Sequence, residues 1–190
     1  MNSEIEHIKK ELRRSMLIKR KQIVLEQANP PMSLPDILLK KFDKDFWRHK
    51  VVSMFYPIGS EISSLGLLSI LIELDVSICL PVVEKDNAPL IFRAYQLGDE
   101  LQLEKFGTRS PYPDKIKMIP DIMFVPFLAF DEKKFRLGYG GGFYDRTIEN
   151  LSKNFMTIGL GWDAQKIDKL PIDAFDKPLD YILTERIIYS

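Results

Sequence analysis

The sequence predicts an α/β protein: a single three-layer, Rossmann-like domain with a mostly parallel sheet and a basic N-terminal helix. Three observations lead there. From residue 51 onward, short β-rich runs alternate with helical patterns; four of the ten glycines crowd into residues 138–142, between a strand and a helix; and residues 3–27 combine helical apolar spacing with a dense run of cations. The length agrees, since 190 residues at ~150 per domain make one domain over residues 1–190. A composition of 45% apolar and 28% charged residues is enough for a sizeable core and excludes fibrous repeats and acidic disordered tails.

The elements follow in order. Ile5, Ile8, Leu12, Met16 and Ile23 recur at helical intervals, and neither Gly nor Pro interrupts before Pro30, so residues 3–27 read as a helix. Residues 33–44 fit a second helix beginning at Ser33, with Pro35 in its first turn. Residues 51–56 form a β-rich run ended by Pro57, residues 61–74 are apolar and long enough for a helix, and residues 77–81 are a buried-type strand. That strand, helix, strand order implies a parallel βαβ unit. Residues 91–96 read as an edge or hairpin strand, and residues 107–120, with three prolines, as an extended loop. Residues 122–126 are a strand, 143–151 a helix and 155–160 a strand, and 181–184 close the sheet.

Charge and cysteine content narrow the function. The 27 basic and 27 acidic residues cancel, which argues against non-specific binding to nucleic acid or anionic membrane. The cancellation is uneven: Lys9 to Lys21 carries seven cations against Glu11, a local +6, so the remainder carries −6. Cys79 is the only cysteine, so no intramolecular disulfide forms. The N-terminus has no signal-like apolar region, and the apolar stretch from Leu65 to Ile72 is too short to span a bilayer, so a cytoplasmic protein is expected.

Two segments carry candidate chemistry. Arg136 to Arg146 places a glycine cluster where open parallel sheets bind ligands, and glycines there let backbone N–H groups approach phosphates closely. It matches neither G-x-G-x-x-G nor a Walker loop, so an ordinary glycine-rich turn competes with an anion site. Asp145 sits one turn away and suits Mg²⁺, which needs only one or two protein carboxylates; it could equally complement the helix dipole. On the basic helix, Lys9, Arg13 and Arg20 share a stripe, which is either a solvated face or a fork of cations for a polyphosphate. No aromatic residue interleaves them, which disfavours nucleic acid.

Taken together, the segments resemble one family. Lys9-Lys10-Glu11-Leu12-Arg13 is similar to its K-x-x-L-R, and residues 56–62 to its first-strand segment ending in E-I. Residues 125–131 resemble V-P-x-L-A-F-D and residues 136–146 resemble R-L-G-x-G-x-G-Y-Y-D-R, with residues 158–161 and 175–180 completing the order. This is the pattern of the 5-formyltetrahydrofolate cyclo-ligases, also called methenyltetrahydrofolate synthetases. The resemblance implies an enzyme that uses ATP and Mg²⁺ to close 5-formyltetrahydrofolate to 5,10-methenyltetrahydrofolate, releasing ADP and phosphate, and that acts as a monomer without nucleic-acid or membrane partners.

By the same resemblance, Lys9, Lys10 and Arg13 would hold ATP with Arg136, Leu137, Gly138, Tyr139, Gly140, Gly141, Gly142, Phe143 and Tyr144. Tyr56, Glu61 and the residues Tyr139 to Phe143 would contact the folate; Arg136 and Asp145 would be catalytic, and Asp145 and Asp176 would serve Mg²⁺. The sequence departs from the family pattern at Gly141, where many members have Lys or Arg, at Phe143, which replaces a Tyr, and at Phe175, where His often precedes the aspartate. The competing reading is a non-catalytic α/β module that binds a nucleotide or sugar phosphate.

Overall fold

The structure, a computed structural model, describes residues 2–26, 34–105, 107–151 and 155–190. Its elements are α1 (Asn2–Glu26), α2 (Leu34–Lys41), α3 (Lys44–Trp47), β1 (Val51–Ser53), α4 (Leu65–Glu73), β2 (Ser77–Val82), β3 (Ile91–Ala94), β4 (Gln102–Leu103), β5 (Arg109–Ser110) and β6 (Lys117–Met118). After these come β7 (Ile122–Pro126), β8 (Ala129–Phe130), β9 (Arg136–Leu137), α5 (Phe143–Asn150), β10 (Met156–Leu160), a 3₁₀ turn (Asp163–Gln165), β11 (Tyr181–Leu183) and β12 (Ile188–Tyr189).

Among the described residues the main sheet has eight strands in the order β12-β11-β10-β7-β1-β2-β3-β6. From β11 to β2 all neighbours are parallel; β12, β3 and β6 run antiparallel at the two flanks. The mostly parallel sheet expected from sequence is therefore present. Alternation along β7 shows why its run is apolar throughout: Ile122 and Phe124 join the core beneath α2 and α4, while Met123 and Val125 join a second core against α5.

Several boundaries differ from the sequence reading, each for a local reason. Gln27 and Ser33, the expected end of the first helix and start of the second, lie outside the described residues. The predicted helix over 33–44 stops at Lys41, because Asp43 accepts a bond from the Phe46 N–H and caps α3 instead. The predicted helix over 61–74 begins only at Leu65. Glu61 belongs to a preceding turn, in which Gly59 takes φ 58° and Glu61 N–H donates to the Ile58 carbonyl. Residues 107–120 are not merely a loop: β5 pairs with β4, and β6 covers the flank of β3, so residues 91–96 are not at the edge. Nor does β11 close the sheet, because the chain turns back at Thr184 and adds β12 outside it. β9 leaves the main sheet and pairs with β8 in a two-stranded ribbon.

The chain leaves β1 toward β2 on one side and later adds β7 on the other. The space beyond the carboxyl ends of β1 and β7 is thus a point where strand order reverses, the usual place for a ligand in an open α/β sheet. The Glu61 turn emerges from β1, and the ribbon with its glycine loop emerges from β7. α1 packs Leu12, Met16 and Leu17 against Leu128, Ala129 and Leu137 of that ribbon and against Leu170. Ile8, expected on the apolar face, is 48% exposed, and Lys9 takes the inward position at 5%.

Candidate active site

Three sequence-distant segments meet here. The inward stripe of α1, Lys9, Arg13, Met16, Arg20 and Ile23, repeats at alternating intervals of four and three, while Lys10, Arg14, Lys19 and Lys21 remain exposed. Of the predicted cations, then, Lys9 and Arg13 face the body and Lys10 faces solvent. Lys9 Nζ bridges Asp173 Oδ2 at 2.7 Å and Asp176 Oδ2 at 2.6 Å. Burial lowers the Lys9 pKa, but the hydrogen bonds it donates to both aspartates, with their negative charge, outweigh it and leave a net rise.

Arg13 reaches the glycine loop across 125 residues. Its Nε donates to the Gly138 carbonyl at 3.1 Å, and its Nη1 pairs with Glu6 at 2.6 Å. A Cβ on Gly140, whose φ is 100°, would stand 3.1 Å from the Arg13 guanidinium carbon, so glycine there serves both the backbone turn and the close approach of the cation. Gly142, at φ 64°, precedes α5, whose N-terminus has no side-chain cap. A loop of this form with an uncapped helix start is suited to phosphate oxygens. Arg146 braces it by donating to the Gly141 carbonyl at 2.6 Å and lying 5.1 Å above the Phe143 ring.

The two departures at Gly141 and Phe143 meet in space. A Cβ on Gly141 would stand 2.8 Å from the Phe143 ring, so the phenyl occupies the room a side chain at 141 would need. Leu137 turns its side chain into the α1 interface and leaves only backbone to the loop. Tyr144 packs into the second core; burial and the neighbouring Glu61 raise its phenol, against the lowering effect of Arg136.

Arg136 is buried. Its Nη2 donates to Asp145 Oδ1 and its Nη1 to the Lys177 carbonyl, both at 3.0 Å. Asp145 Oδ1 also accepts the Lys177 N–H at 3.3 Å, while Asp145 Oδ2 has no hydrogen bond among the described residues. Asp176, one residue before Lys177, uses Oδ2 for Lys9 and for the Asp173 N–H. Among the described residues no cluster of three His, Cys, Asp or Glu could cage a metal. Mg²⁺ asks for less: one or two carboxylates, substrate phosphates and waters. The open oxygen of Asp145 fits that requirement, and Asp176 directly precedes Lys177, whose backbone N–H meets Asp145.

On the β1 side, Glu61 Oε2 accepts the Ile58 N–H at 2.8 Å and Oε1 accepts the Tyr139 hydroxyl at 2.8 Å. Burial raises the Glu61 pKa, over the lowering by the Ile58 N–H, the Tyr139 hydroxyl and Arg20. The Tyr56 ring lies under Arg109, whose guanidinium carbon is 5.5 Å from the ring centre. Sequence reasoning placed Arg20 only on the candidate cation stripe and missed Ser60, Trp162 and Asp173. Arg20 lies at the centre of this group, and the Trp162 indole donates to the Ser60 carbonyl at 3.2 Å. The signal for Arg20 was its spacing of seven from Arg13; Asp173 offered none.

Known proteins of similar sequence and fold place the chain in a family. Residues 5–185 match the model of the 5-formyltetrahydrofolate cyclo-ligase family. The cyclo-ligase of Haemophilus influenzae is 34% identical over 140 residues, 70% of this chain and 75% of that protein. That of Escherichia coli is 32% identical over 146 residues, 73% of this chain and 80% of its own. The NMR structure of the Aquifex aeolicus 5,10-methenyltetrahydrofolate synthetase superposes with a TM-score of 0.75 at 28% identity, over 95% of this chain and 91% of that one. A Mycoplasma pneumoniae synthetase, at 22% identity and a TM-score of 0.73, shares the fold over 94% of this chain and 99% of its own. With the family pattern matched almost end to end and its segments gathered at one sheet crevice, the chain belongs to the 5-formyltetrahydrofolate cyclo-ligase family.

Proposed function

We propose that this protein catalyses the ATP-dependent closure of 5-formyltetrahydrofolate to 5,10-methenyltetrahydrofolate, as a single domain and as a monomer. The observation that carries the reading is the meeting of Arg13 with the glycine loop at Gly138 and Gly140, which sets a cation against an uncapped helix start. A formyl oxygen is a poor leaving group. The γ-phosphoryl group passes from ATP to that oxygen and ADP departs, so one P–O bond breaks as another forms. The N10 lone pair then attacks the formyl carbon, phosphate departs with the oxygen, and the N10 proton is lost to water. Such chemistry asks the protein mainly for positioning and charge neutralisation.

Arg13 and the loop from Arg136 to Tyr144 bind and orient the triphosphate. Glu61 accepts from the pterin amino and ring N–H groups, with Tyr139 and Phe143 forming a wall. Asp145, with Asp176, would hold Mg²⁺, which neutralises phosphate charge when bound. Arg136 fixes the Asp145 carboxylate in place, and Lys9 does the same for Asp176. The test is direct: purified protein with Mg-ATP and 5-formyltetrahydrofolate develops the near-ultraviolet methenyl absorbance and releases phosphate only when both substrates are present. ATP binding without that absorbance would favour the non-catalytic module instead.

A further inference from the structure

Arg20 is the most heavily engaged cation of α1, yet none of its contacts reaches the phosphate loop's glycines or the aspartates. It is 2% exposed. Its Nε donates to Ser60 Oγ at 3.0 Å, its Nη2 to the Tyr139 hydroxyl at 2.7 Å and its Nη1 to the Phe127 carbonyl at 3.5 Å; Nη1 also lies 3.6 Å from Glu61 Oε1. The guanidinium carbon is 5.6 Å from the Tyr139 ring centre. These partners come from the turn after β1, the end of β7 and the glycine loop, so one side chain ties together the segments that flank the proposed pterin position.

The directions of these bonds are fixed by chemistry. Arginine has only donors, so the Tyr139 oxygen accepts from Arg20 and its own proton must go onward, to Glu61 Oε1. Arg20 thereby sets the phenol's orientation and keeps a positive charge beside a carboxylate whose side chain is 4% exposed. With one hydrogen bond on each carboxylate oxygen, Glu61 retains lone-pair positions for an incoming pair of N–H donors. Docking of α1 does not account for this arrangement, because Met16, Ile23 and the Lys9 ion pairs already seat the helix.

We propose that Arg20 is a positioning residue of the folate subsite, orienting Glu61 and Tyr139 for the pterin without itself touching substrate. The inference rests on the function proposed above and deepens it. It also makes α1 a shared wall, with Arg13 serving the nucleotide and Arg20 the folate.

The experiment compares wild type, Arg20→Met, Arg20→Lys, Tyr139→Phe and the Arg20→Met/Tyr139→Phe double variant, varying each substrate at saturating levels of the other. Equilibrium binding of 5-formyltetrahydrofolate is measured alongside. Arg20→Met is expected to raise the folate KM about tenfold or more, with the ATP KM held within about twofold. Arg20→Lys, a point charge without the fork, is expected to recover only part of the loss. Tyr139→Phe is expected to add little in the Arg20→Met background, since both remove one chain of bonds. A folate KM near wild type in Arg20→Met, or an ATP KM rising in parallel, would overturn the proposal, the latter marking Arg20 as a helix anchor. If Arg20→Met does not fold, Arg20→Lys decides, and a wild-type folate KM there overturns the proposal. A wild-type protein that binds 5-formyltetrahydrofolate but produces no methenyl band refutes the catalytic reading alone, with the binding arm still testing Arg20; failure to bind refutes both.

Discussion

Asp145 and Glu61 are both carboxylates at the mouth of the same crevice, and their surroundings give them different work. Asp145 commits one oxygen to Arg136 and Lys177 and keeps the other open. Asp145→Asn keeps the acceptor for Arg136 while removing the charge, so turnover is expected to fall about a hundredfold or more with the melting temperature little changed, as read from methenyl absorbance and thermal unfolding. Arg13→Ala is expected to raise the ATP KM about tenfold and leave the folate KM alone, in steady-state rates. Glu61 is held above the ordinary glutamate range by burial. The folded state therefore holds that proton longer than the unfolded chain does. The stability it contributes is present on the acid side and is lost as pH rises from the ordinary glutamate value through the raised one. Function runs the other way, because only the ionised form accepts from the pterin. The kcat/KM for folate is expected to climb through that window, and Tyr139→Phe, which removes a bond that lowers the Glu61 pKa, is expected to move the inflection to higher pH in a pH–rate profile.

The N-terminal helix shows how a charged run can be both readable and misread. Its period was plain from Leu12, Met16 and Ile23, but the apolar face assigned to Ile8 belongs to Lys9. A lysine becomes an interior residue only when its counter-charges arrive, and here they come from Asp173 and Asp176, in a segment with no regular secondary structure to predict. Lys9→Met is expected to cost about 1–2 kcal/mol in urea unfolding, a hydrogen-bonded ion pair discounted for the partial exposure of Asp173. The Lys9 contribution is present below its ordinary value and lost as pH rises through the raised folded one; that of Asp173 is present above the ordinary aspartate value and lost as pH falls through the lowered one. The Lys9→Met penalty should therefore hold across neutral pH and shrink at both extremes. The glycine loop was legible because its residues carry their conformational reason with them, as Gly140 and Gly142 do at positive φ. The place of Arg20 beside Ser60 and Tyr139 was not, since these partners lie 40 to 119 residues away and only the folded chain brings them within reach.

Across the whole molecule, the strand pattern was read more securely than the site, since a strand such as β7 is apolar over its full length whichever neighbours it takes. The two-residue strands β5, β6 and β12 are too short to show a period and are defined only by the strand beside them. The three apolar clusters share elements: β7 contributes to two, and the segment following it reaches the third. Unfolding is accordingly expected to be one cooperative transition, with far-ultraviolet dichroism and Trp47 and Trp162 fluorescence coinciding in urea; separate midpoints would show α1 and its ribbon melting alone. The ion pair between Lys9 and Asp173, 164 residues apart, also has a meaning for synthesis. At about 5–20 residues per second, the ribosome needs roughly ten to thirty seconds to make that stretch, during which Lys9 has neither aspartate to hold. The nascent chain thus exposes Lys9 long before either aspartate that neutralises it has been made, although Glu6 already accompanies Arg13, and it completes this side of the site only near the end of translation.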